Sequence, residues 1–323
     1  MISCTPYQAG PYISFNGPTQ GTSYQVTYQS DDSTVFQEAV EELLHQFDRS
    51  LSTYQPSSLI SRINADVPGV SPDSLFTAVF NASVQIWNES EGAFDITVAP
   101  VVNAWGFGFT EPADVDSALI DSLLQYVGMN MVRLENGLVV KEKKGIMFDV
   151  NAIAQGYAVD VIAEFLEEQG LKNYLVEIGG EVRTKGRNSR GEPWRVGIDK
   201  PIDGLQLPGV QIEAVVSLSG KAMATSGNYR RYYEKNGVKY SHTIDPKTGY
   251  PVQHNLLSAS VVADDGMTAD GFATAFMVLG LEKSIKLLEK RTDLDAYLIY
   301  NDESGAYRVF YTKGLKKLLI KGR

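Results

Sequence analysis

The sequence of 323 residues contains one cysteine, Cys4, so an internal disulfide bond is excluded. No apolar run approaches the roughly 18 residues that a membrane-spanning helix needs. Lys and Arg (29) are outnumbered by Asp and Glu (39), which gives a formal net charge of −10. Because a phosphate backbone attracts basic surfaces, we expect no nucleic-acid partner.

The usual nucleotide-binding signatures are also missing. The chain has no GxGxxG segment after a predicted strand and no GxxxxGK[ST] loop, so the common dinucleotide and P-loop folds are not supported. Hydrophobic residues nevertheless make up 43% of the chain, which is enough for a sizeable core. Helices and hairpins mix without a βαβ rhythm, and this predicts an α+β fold with mixed, largely antiparallel sheets. We interpret residues 16–323 as one compact unit and residues 1–15 as a tether.

The stretch FDVNAIAQGYAVD, residues 148–160, is the centre of the predicted site. Alternating apolar residues predict a strand over 146–150, and a helical period follows from Ala152 to a stop at Gly170. Asp149 and Asn151 lie where the predicted strand ends. Loops at strand ends commonly carry function. Asn and Asp are also common helix N-caps, so this segment alone is equally compatible with a structural role.

A second segment, MTADGFATAFMVLG, changes that balance. We predict a helix that is capped by Thr268 and followed by a separate helix from Leu281 to Arg291. Asp270 and Thr274 are four residues apart, so they share a helical face among apolar neighbours. A carboxylate and a hydroxyl on a buried face need a partner, and a hard cation such as Mg²⁺ or Ca²⁺ suits oxygen ligands.

Four other patterns give local predictions. Ser33 is expected to cap a helix, and Pro72 to occupy the first turn of another. The segment 51–64 is polar and contains a proline, which favours irregular structure. Asn136 and Gly137 form the expected turn pair of a hairpin.

Eight motifs together resemble the ApbE family of flavin transferases, and they span most of the chain, from Gly17 to Gly280. They are GPTQGTSYQV, LSTYQPSSLISRIN, FDITVAPVVNAWGFG, DVNAIAQGYAVD, YLVEIGGEVRTKG, TSGNYRRYY, SHTIDPKTGYP and TADGFATAFMVLG.

This resemblance implies a function. The family binds FAD with Mg²⁺ at the diphosphate and attaches FMN to a Thr or Ser hydroxyl of an acceptor protein, releasing AMP. Its acceptors are typically flavin-carrying subunits of membrane redox complexes of the Nqr and Rnf type. Many members are bacterial lipoproteins at the extracytoplasmic (periplasmic) face, so we expect Cys4 to carry a lipid and to be the sole membrane anchor.

The resemblance also implies site residues. The metal ligands are expected to be the Ala152 carbonyl, the Asp270 carboxylate and the Thr274 hydroxyl. His242 is the expected catalytic base, oriented by Asp245, while His45 and His254 are expected to take no part. The FAD-binding positions are expected to be Gln20, Tyr54, Ala93, Phe94, Asp95, Asp149, Gln155 and Ile244.

The chain departs from the family pattern at two of these positions. Gln20 stands where Met is frequent, and Gln155 stands where Lys is frequent. Replacing that Lys removes a positive charge near the ligand but keeps a hydrogen-bond donor. Arg230 and Arg231 are further, weaker candidates for a phosphate contact.

Two other functions are compatible with the same residues. A Mg²⁺-dependent FAD pyrophosphatase would give FMN and AMP, with water as the acceptor. A lipoprotein that only binds FAD would hold the nucleotide without releasing AMP.

Overall fold

The computed structural model describes residues 10–109, 113–202, 209–228, 232–235 and 238–320. Its strands are β1 Tyr12–Thr19, β2 Thr22–Gln29, β3 Val132–Glu135, β4 Leu138–Lys141, β5 Tyr174–Ile178, β6 Glu181–Lys185, β7 Trp194–Asp199, β8 Ile212–Leu218, β9 Ala222–Gly227, β10 Tyr232–Lys235, β11 Val238–Ser241, β12 Leu256–Ala263, β13 Asp295–Asn301 and β14 Tyr307–Tyr311. Its helices are α1 Gln37–Leu51, α2 Leu59–Asn64, α3 Ser74–Glu89, α4 Ala99–Ala104, α5 Ser117–Leu124, α6 Ala154–Glu168, α7 Gly266–Lys290 and α8 Lys313–Leu318.

An eight-stranded sheet in the order β1–β2–β5–β6–β9–β12–β13–β14 organises the chain. Each neighbouring pair in it is antiparallel. The two-stranded pairs β3–β4, β7–β8 and β10–β11 complete the described strands. With helices packed on the large sheet, this confirms the predicted α+β class.

The two faces of the large sheet are covered differently. On one face α6 and α7 pack against the strands, and α1 and α3 pack on those helices. This side holds the main core, because residues such as Val26, Val176 and Phe276 are fully buried there. On the other face, the β7–β8 hairpin and α8 cover a smaller core that includes Ile198, Val216 and Leu315.

Helix α7 consists of two helical segments. Gly280 has φ 74° and ψ 176°, which interrupts the helix. Glycine adopts this left-handed φ without the steric cost that a Cβ would bring. The predicted separate helix from Leu281 is therefore confirmed. The N-cap, however, is Asp265 and not Thr268: the Asp265 carboxylate accepts the Thr268 N–H at 2.7 Å.

The strand predicted over 146–150 is wrong. The side-chain amide of Asn64 pairs with the backbone of Phe148, accepting its N–H at 2.7 Å and donating to its carbonyl at 2.9 Å. The Asp149 N–H in turn donates to the Ile96 carbonyl at 2.7 Å. Met147 also forms an isolated parallel bridge with Val98. The segment thus pairs with one side chain and a short loop, and no continuous strand forms there.

Other local predictions also need correction. The proposed tether of residues 1–15 overlaps β1, because Tyr12 already pairs with Gln29 in the sheet. Ser33 has φ 60° and lies ahead of α1, whose N-cap is Phe36. The segment 51–64 contains α2, whose N-cap Ser58 accepts the Ser61 N–H with its hydroxyl. Pro72 lies before the first turn of α3, because the N-cap of α3 is Asp73.

The predicted hairpin turn at Asn136 and Gly137 is confirmed, with φ 51° and 72°. Within the described residues, no helix combines the length and the apolar character needed to cross a membrane.

Candidate active site

Helices α6 and α7 cross at their first turns with almost no space between their backbones. A Cβ added at Gly156 would lie 2.2 Å from the Gly266 carbonyl oxygen, and one added at Gly266 would lie 2.3 Å from the Gly156 carbonyl oxygen. Only glycines allow such an approach. The crossing brings the start of α6, and with it the loop that contains Ala152, against the first part of α7.

Asp270 lies at this crossing. Its side chain is buried, and its Oδ2 accepts the Gly156 N–H at 3.0 Å. Among the described residues, the Gly156 N–H is the single hydrogen-bond donor to the Asp270 carboxylate. Burial raises the pKa of the Asp270 carboxyl, and the negative charge of Asp160 raises it further. A cation at this carboxylate would oppose both effects.

Asp160 of α6 also stabilises the crossing of α6 and α7. Its carboxylate accepts the N–H groups of Gly266 and Met267 at 2.7 and 2.8 Å, so it satisfies the first turn of α7. It also forms a 2.7 Å ion pair with Arg183 of β6. One buried side chain therefore joins α6, α7 and the sheet.

Thr274 lies one turn after Asp270 on α7, as the sequence spacing predicts. Its hydroxyl is half-buried and lies 3.1 Å from the Ser226 hydroxyl at the end of β9. Ala152 lies two residues before α6 and four before Gly156, the residue that contacts Asp270. The structure thus brings the segments that carry the three predicted metal ligands to one place.

Asp149 and Asp95 lie in two loops that contact each other. Asp149 is buried, burial raises its pKa, and its Oδ1 accepts the Asn151 N–H at 2.9 Å. Burial also raises the pKa of Asp95. The Asp95 carboxylate accepts hydrogen bonds from the N–H and hydroxyl of Thr97 and from the Met129 N–H. Through these hydrogen bonds, Asp95 stabilises the conformation of its own loop.

Ala93 and Phe94, the other predicted FAD-binding residues of this loop, are buried. The Phe94 N–H donates to the Ser90 hydroxyl at 3.1 Å. Their side chains therefore contribute mainly to packing, and contact with a ligand would fall to the loop backbone.

Tyr54 lines a cavity of about 350 Å³ and is itself 61% exposed. The cavity wall includes Asn64 and Met147, which adjoin the Phe148–Asp149 segment. An exposed aromatic ring at a cavity rim can stack on a flat heterocycle. The cavity thus lies between Tyr54 and the segment that precedes Asp149, and the predicted contact of these residues with FAD stays a prediction.

Gln20 lies in the turn of the β1–β2 hairpin, whereas Gln155 lies in the first turn of α6 and its side chain reaches the turn of the neighbouring β5–β6 hairpin. Gln20 occupies the β1–β2 turn with φ 47°, and its Nε2 is buried without a hydrogen-bond partner in the described structure. The Gln155 side chain lies on Gly179 of the β5–β6 turn, where an added Cβ would be 2.9 Å from the Gln155 amide atoms. These two turns lie at one end of the sheet, because Gly179 N–H donates to the Ser23 carbonyl next to the first turn.

His242 is half-buried, and its ring meets the Phe107 ring edge-on at a centroid distance of 6.4 Å. The next residue, Thr243, donates to the Asn228 side chain at 3.0 Å, two residues beyond Ser226. The His242 segment is therefore fastened to the end of β9, the strand that contacts Thr274.

The residues that follow His242 have clear structural roles. Ile244 is buried in a small cluster with Val101, Trp105 and Ile120. The Asp245 carboxylate accepts the Lys247 N–H at 2.9 Å, which stabilises its own turn. Cys4, Arg230 and Arg231 lie outside the described residues.

Sequence reasoning missed Asp160 and Ser226, although both lie inside motifs that it had singled out. Asp160 lies on the side of α6 that also carries Gly156 and Ala163, and these small residues could have indicated a second buried face. Ser226 carries no local signal, because its partner is 48 residues away in the chain.

The residues present fit a hard divalent cation. A carboxylate, a hydroxyl and a backbone carbonyl are all oxygen donors, which Mg²⁺ prefers, and Mg²⁺ commonly completes its coordination with phosphate and water. No group of three or more His, Cys, Asp or Glu side chains suited to a metal occurs among the described residues. With three oxygen donors from the protein, a cation here would complete its coordination with water or with phosphate oxygens.

The fold and the site define an α+β protein with a largely antiparallel sheet, in which a buried carboxylate and a hydroxyl lie at the crossing of two helices. The chain belongs to the ApbE family, whose sequence model matches residues 20–298.

Named relatives support this membership over nearly the whole chain. The chain is 39% identical to the FAD:protein FMN transferase of Haemophilus influenzae over 308 residues, covering 91% of this chain and 88% of that protein. It is 35% identical to the FAD:protein FMN transferase of Escherichia coli K12 over 316 residues, covering 94% and 88%. The solved structure of the flavin transferase ApbE from Vibrio cholerae superposes with a TM-score of 0.86 at 32% identity, covering 96% of this chain and 100% of that one.

Proposed function

We propose that this protein is an FAD:protein FMN transferase that uses Mg²⁺, joins FMN to a Thr or Ser hydroxyl of an acceptor protein and releases AMP. The observation that carries the proposal is the Gly156–Asp270 hydrogen bond, because it joins the two segments that bear the predicted metal ligands. The names of the relatives support the choice of FAD as donor and of a protein as acceptor.

The reaction is a phosphoryl-type transfer. The acceptor hydroxyl oxygen attacks the phosphorus of the FMN half of FAD, a new P–O bond forms, and the P–O bond to AMP breaks. Such transfers depend on positioning and charge stabilisation more than on covalent catalysis. Bound Mg²⁺ would neutralise diphosphate charge and assist the departure of AMP.

The protein's own groups have separate roles in this proposal. Ala152, Asp270 and Thr274 hold the cation. Tyr54 provides a ring for stacking, and His242 takes the proton of the attacking hydroxyl, since an imidazole titrates near neutral pH.

The acceptor and the location are parts of the proposal that rest on the family resemblance. We propose flavin-carrying subunits of Nqr-type or Rnf-type redox complexes as acceptors. We further propose an extracytoplasmic location with a lipid on Cys4.

The function is tested by incubating the protein with FAD, Mg²⁺ and a flavin-subunit fragment that bears a candidate Thr. The expected result is a mass gain of one FMN on the fragment, equal release of AMP, and loss of both when EDTA is added. AMP and free FMN without a mass gain would indicate a pyrophosphatase. Bound FAD that stays intact would indicate a protein that only binds the nucleotide.

The metal assignment has a test of its own. Asp270→Ala is expected to abolish Mg²⁺-dependent transfer while the protein remains folded. Asp264→Ala is the matched control, because Asp264 is exposed and pairs with Lys221 at the surface. Full activity in Asp270→Ala would show that the assignment is wrong.

A further inference from the structure

The hydroxyl of Thr274 forms a hydrogen bond that is unusual for a threonine within a helix. A helical threonine commonly donates its proton to the carbonyl three or four residues earlier in the same helix. Here the Thr274 Oγ1 lies 3.1 Å from the Ser226 Oγ of β9. Among the described residues, the hydrogen-bond partner of the Thr274 hydroxyl is thus Ser226. The contact joins the helix to the sheet, and either hydroxyl can be its donor.

The direction of the Thr274 hydroxyl matters if Thr274 is a cation ligand, as the proposed function requires. A neutral hydroxyl has one proton and two lone pairs, and it binds a cation through a lone pair. The proton must then point away from the cation toward an acceptor. The Ser226 oxygen is in the position of that acceptor.

We propose that Ser226 is a positioning residue that takes the Thr274 proton and directs a Thr274 lone pair toward the divalent cation. The inference rests on the proposed function. It assigns to the cation site a residue, Ser226, that does not itself contact the cation. Groups of this kind orient ligands, and their loss typically costs about ten-fold or more in metal affinity.

Ser226 is well held for this purpose. It lies inside the large sheet, opposite Ala259 of β12. The end of the same strand is fastened through Asn228 to Thr243, the neighbour of His242. Strand β9 therefore links the proposed cation ligand to the segment of the proposed base.

The adjacent residue provides a matched control. Thr225 and Ser260 form a second hydroxyl pair, at 2.7 Å, across β9 and β12. Successive side chains of a strand point to opposite faces, so Thr225 points away from the face on which α7 packs. Thr225→Val removes a hydroxyl from the same strand without removing a contact to Thr274.

The test is a titration with Mn²⁺, followed by EPR, at saturating FAD and without acceptor protein; FAD alone provides the baseline. We expect Ser226→Ala to weaken Mn²⁺ binding about ten-fold, Ser226→Thr to bind nearly as the wild type, and Thr225→Val to be unchanged. Because the defect is one of affinity, excess Mg²⁺ should restore most of the turnover of Ser226→Ala.

Thr274→Ala separates the possible failures. If Thr274→Ala weakens Mn²⁺ binding but Ser226→Ala does not, the role of Ser226 is overturned and the cation site stands. If Thr274→Ala binds Mn²⁺ as the wild type does, the proposed cation site is wrong, and the inference about Ser226 is overturned with it. A Ser226→Ala protein that melts well below Thr225→Val and is not rescued by Mg²⁺ would indicate a merely structural role.

Discussion

The backbone N–H of Gly156 donates a 3.0 Å hydrogen bond to the carboxylate of Asp270, 114 residues later in the chain. The bond exists because α6 and α7 approach each other through glycines. An added Cβ at Gly156 would lie 2.2 Å from the Gly266 oxygen and 2.5 Å from Cβ of Asp270. Helix packing and the geometry of the site therefore depend on the same contact.

Gly156→Ala is expected to push the two helices apart, because the obstructing atoms belong to backbone or to a buried side chain. We expect a loss of about 3 kcal/mol in the free energy of unfolding, at the upper end of overpacking costs, together with weaker Mg²⁺ binding. Urea denaturation measures the first effect and Mn²⁺ titration the second.

Gly271→Ala is the control for this substitution. An added Cβ there meets Cδ1 of Ile86, the end of a flexible side chain that can move. Alanine also has the better helix propensity, so we expect a change within about 1 kcal/mol. Equal effects of the two substitutions would contradict the special role of the Gly156 crossing.

The second prediction concerns the buried ion pair of Asp160 and Arg183. Asp160→Ala leaves Arg183 without its partner and removes the acceptor of two N–H groups of α7. Breaking a buried pair by removing one partner costs about 3 to 5 kcal/mol, and we expect a loss in this range by urea denaturation.

An exposed pair on α1 gives the comparison. Arg49 and Glu42 are 2.8 Å apart, but their side chains are 62% and 56% exposed. Exposed pairs contribute about 1 kcal/mol or less, so Glu42→Ala should have little effect. A loss below about 1 kcal/mol in Asp160→Ala would show that Asp160 does not hold the crossing together.

These contacts show which parts of the molecule the sequence could predict. The turn at Asn136 and Gly137 follows from local backbone preference, and so does the break at Gly280. The shared face of Asp270 and Thr274 follows from helical spacing. In each case the cause lies within a few residues of its effect.

The failures have a different cause. The segment around Phe148 has the alternation of a strand, but its backbone is paired by the side chain of Asn64, 84 residues earlier. Asp160 reaches Gly266 across 106 residues. Such partners are determined by the packing of the whole domain, and no local pattern records them.

The third prediction is a pH dependence that arises from His254. The Leu256 N–H donates to Nδ1, so Nδ1 is an acceptor, and Nε2 carries the proton that it donates to the Met277 carbonyl at 2.7 Å. Burial lowers the pKa of His254 below its ordinary value. The fold therefore favours the neutral ring, and below about pH 6.5 the unfolded chain binds a proton that the folded chain does not.

The stabilising contribution of neutral His254 should thus be complete above about pH 6.5 and should decrease as the pH falls below it. His254→Gln keeps an N–H donor but cannot titrate. We expect the difference in unfolding free energy between wild type and His254→Gln to shrink from pH 7.5 to pH 5.5, by at most about 1.4 kcal/mol per pH unit. A difference that does not vary with pH would show that His254 does not titrate in this way.

The last prediction tests the departure from the family pattern at Gln155. Its side chain lies on Gly179, and Gln155 directly precedes Gly156, which contacts the proposed cation ligand Asp270. A diphosphate bound to that cation would therefore lie in this region. Gln155→Lys would add a positive charge near two negative phosphates. At an effective dielectric constant near 20, such an interaction is worth about 1 kcal/mol or more at distances of several ångströms, so FAD should bind about five-fold more tightly.

Because the gain is electrostatic, it should decrease when the salt concentration is raised above physiological strength. Gln155→Met has a similar length and neither charge nor donor, so it should bind FAD no more tightly than the wild type. Titration of FAD fluorescence at two salt concentrations measures all three proteins. A gain that is equal in Lys and Met variants would mean that packing on Gly179 determines the affinity, whereas no gain in the Lys variant would place the diphosphate away from Gln155.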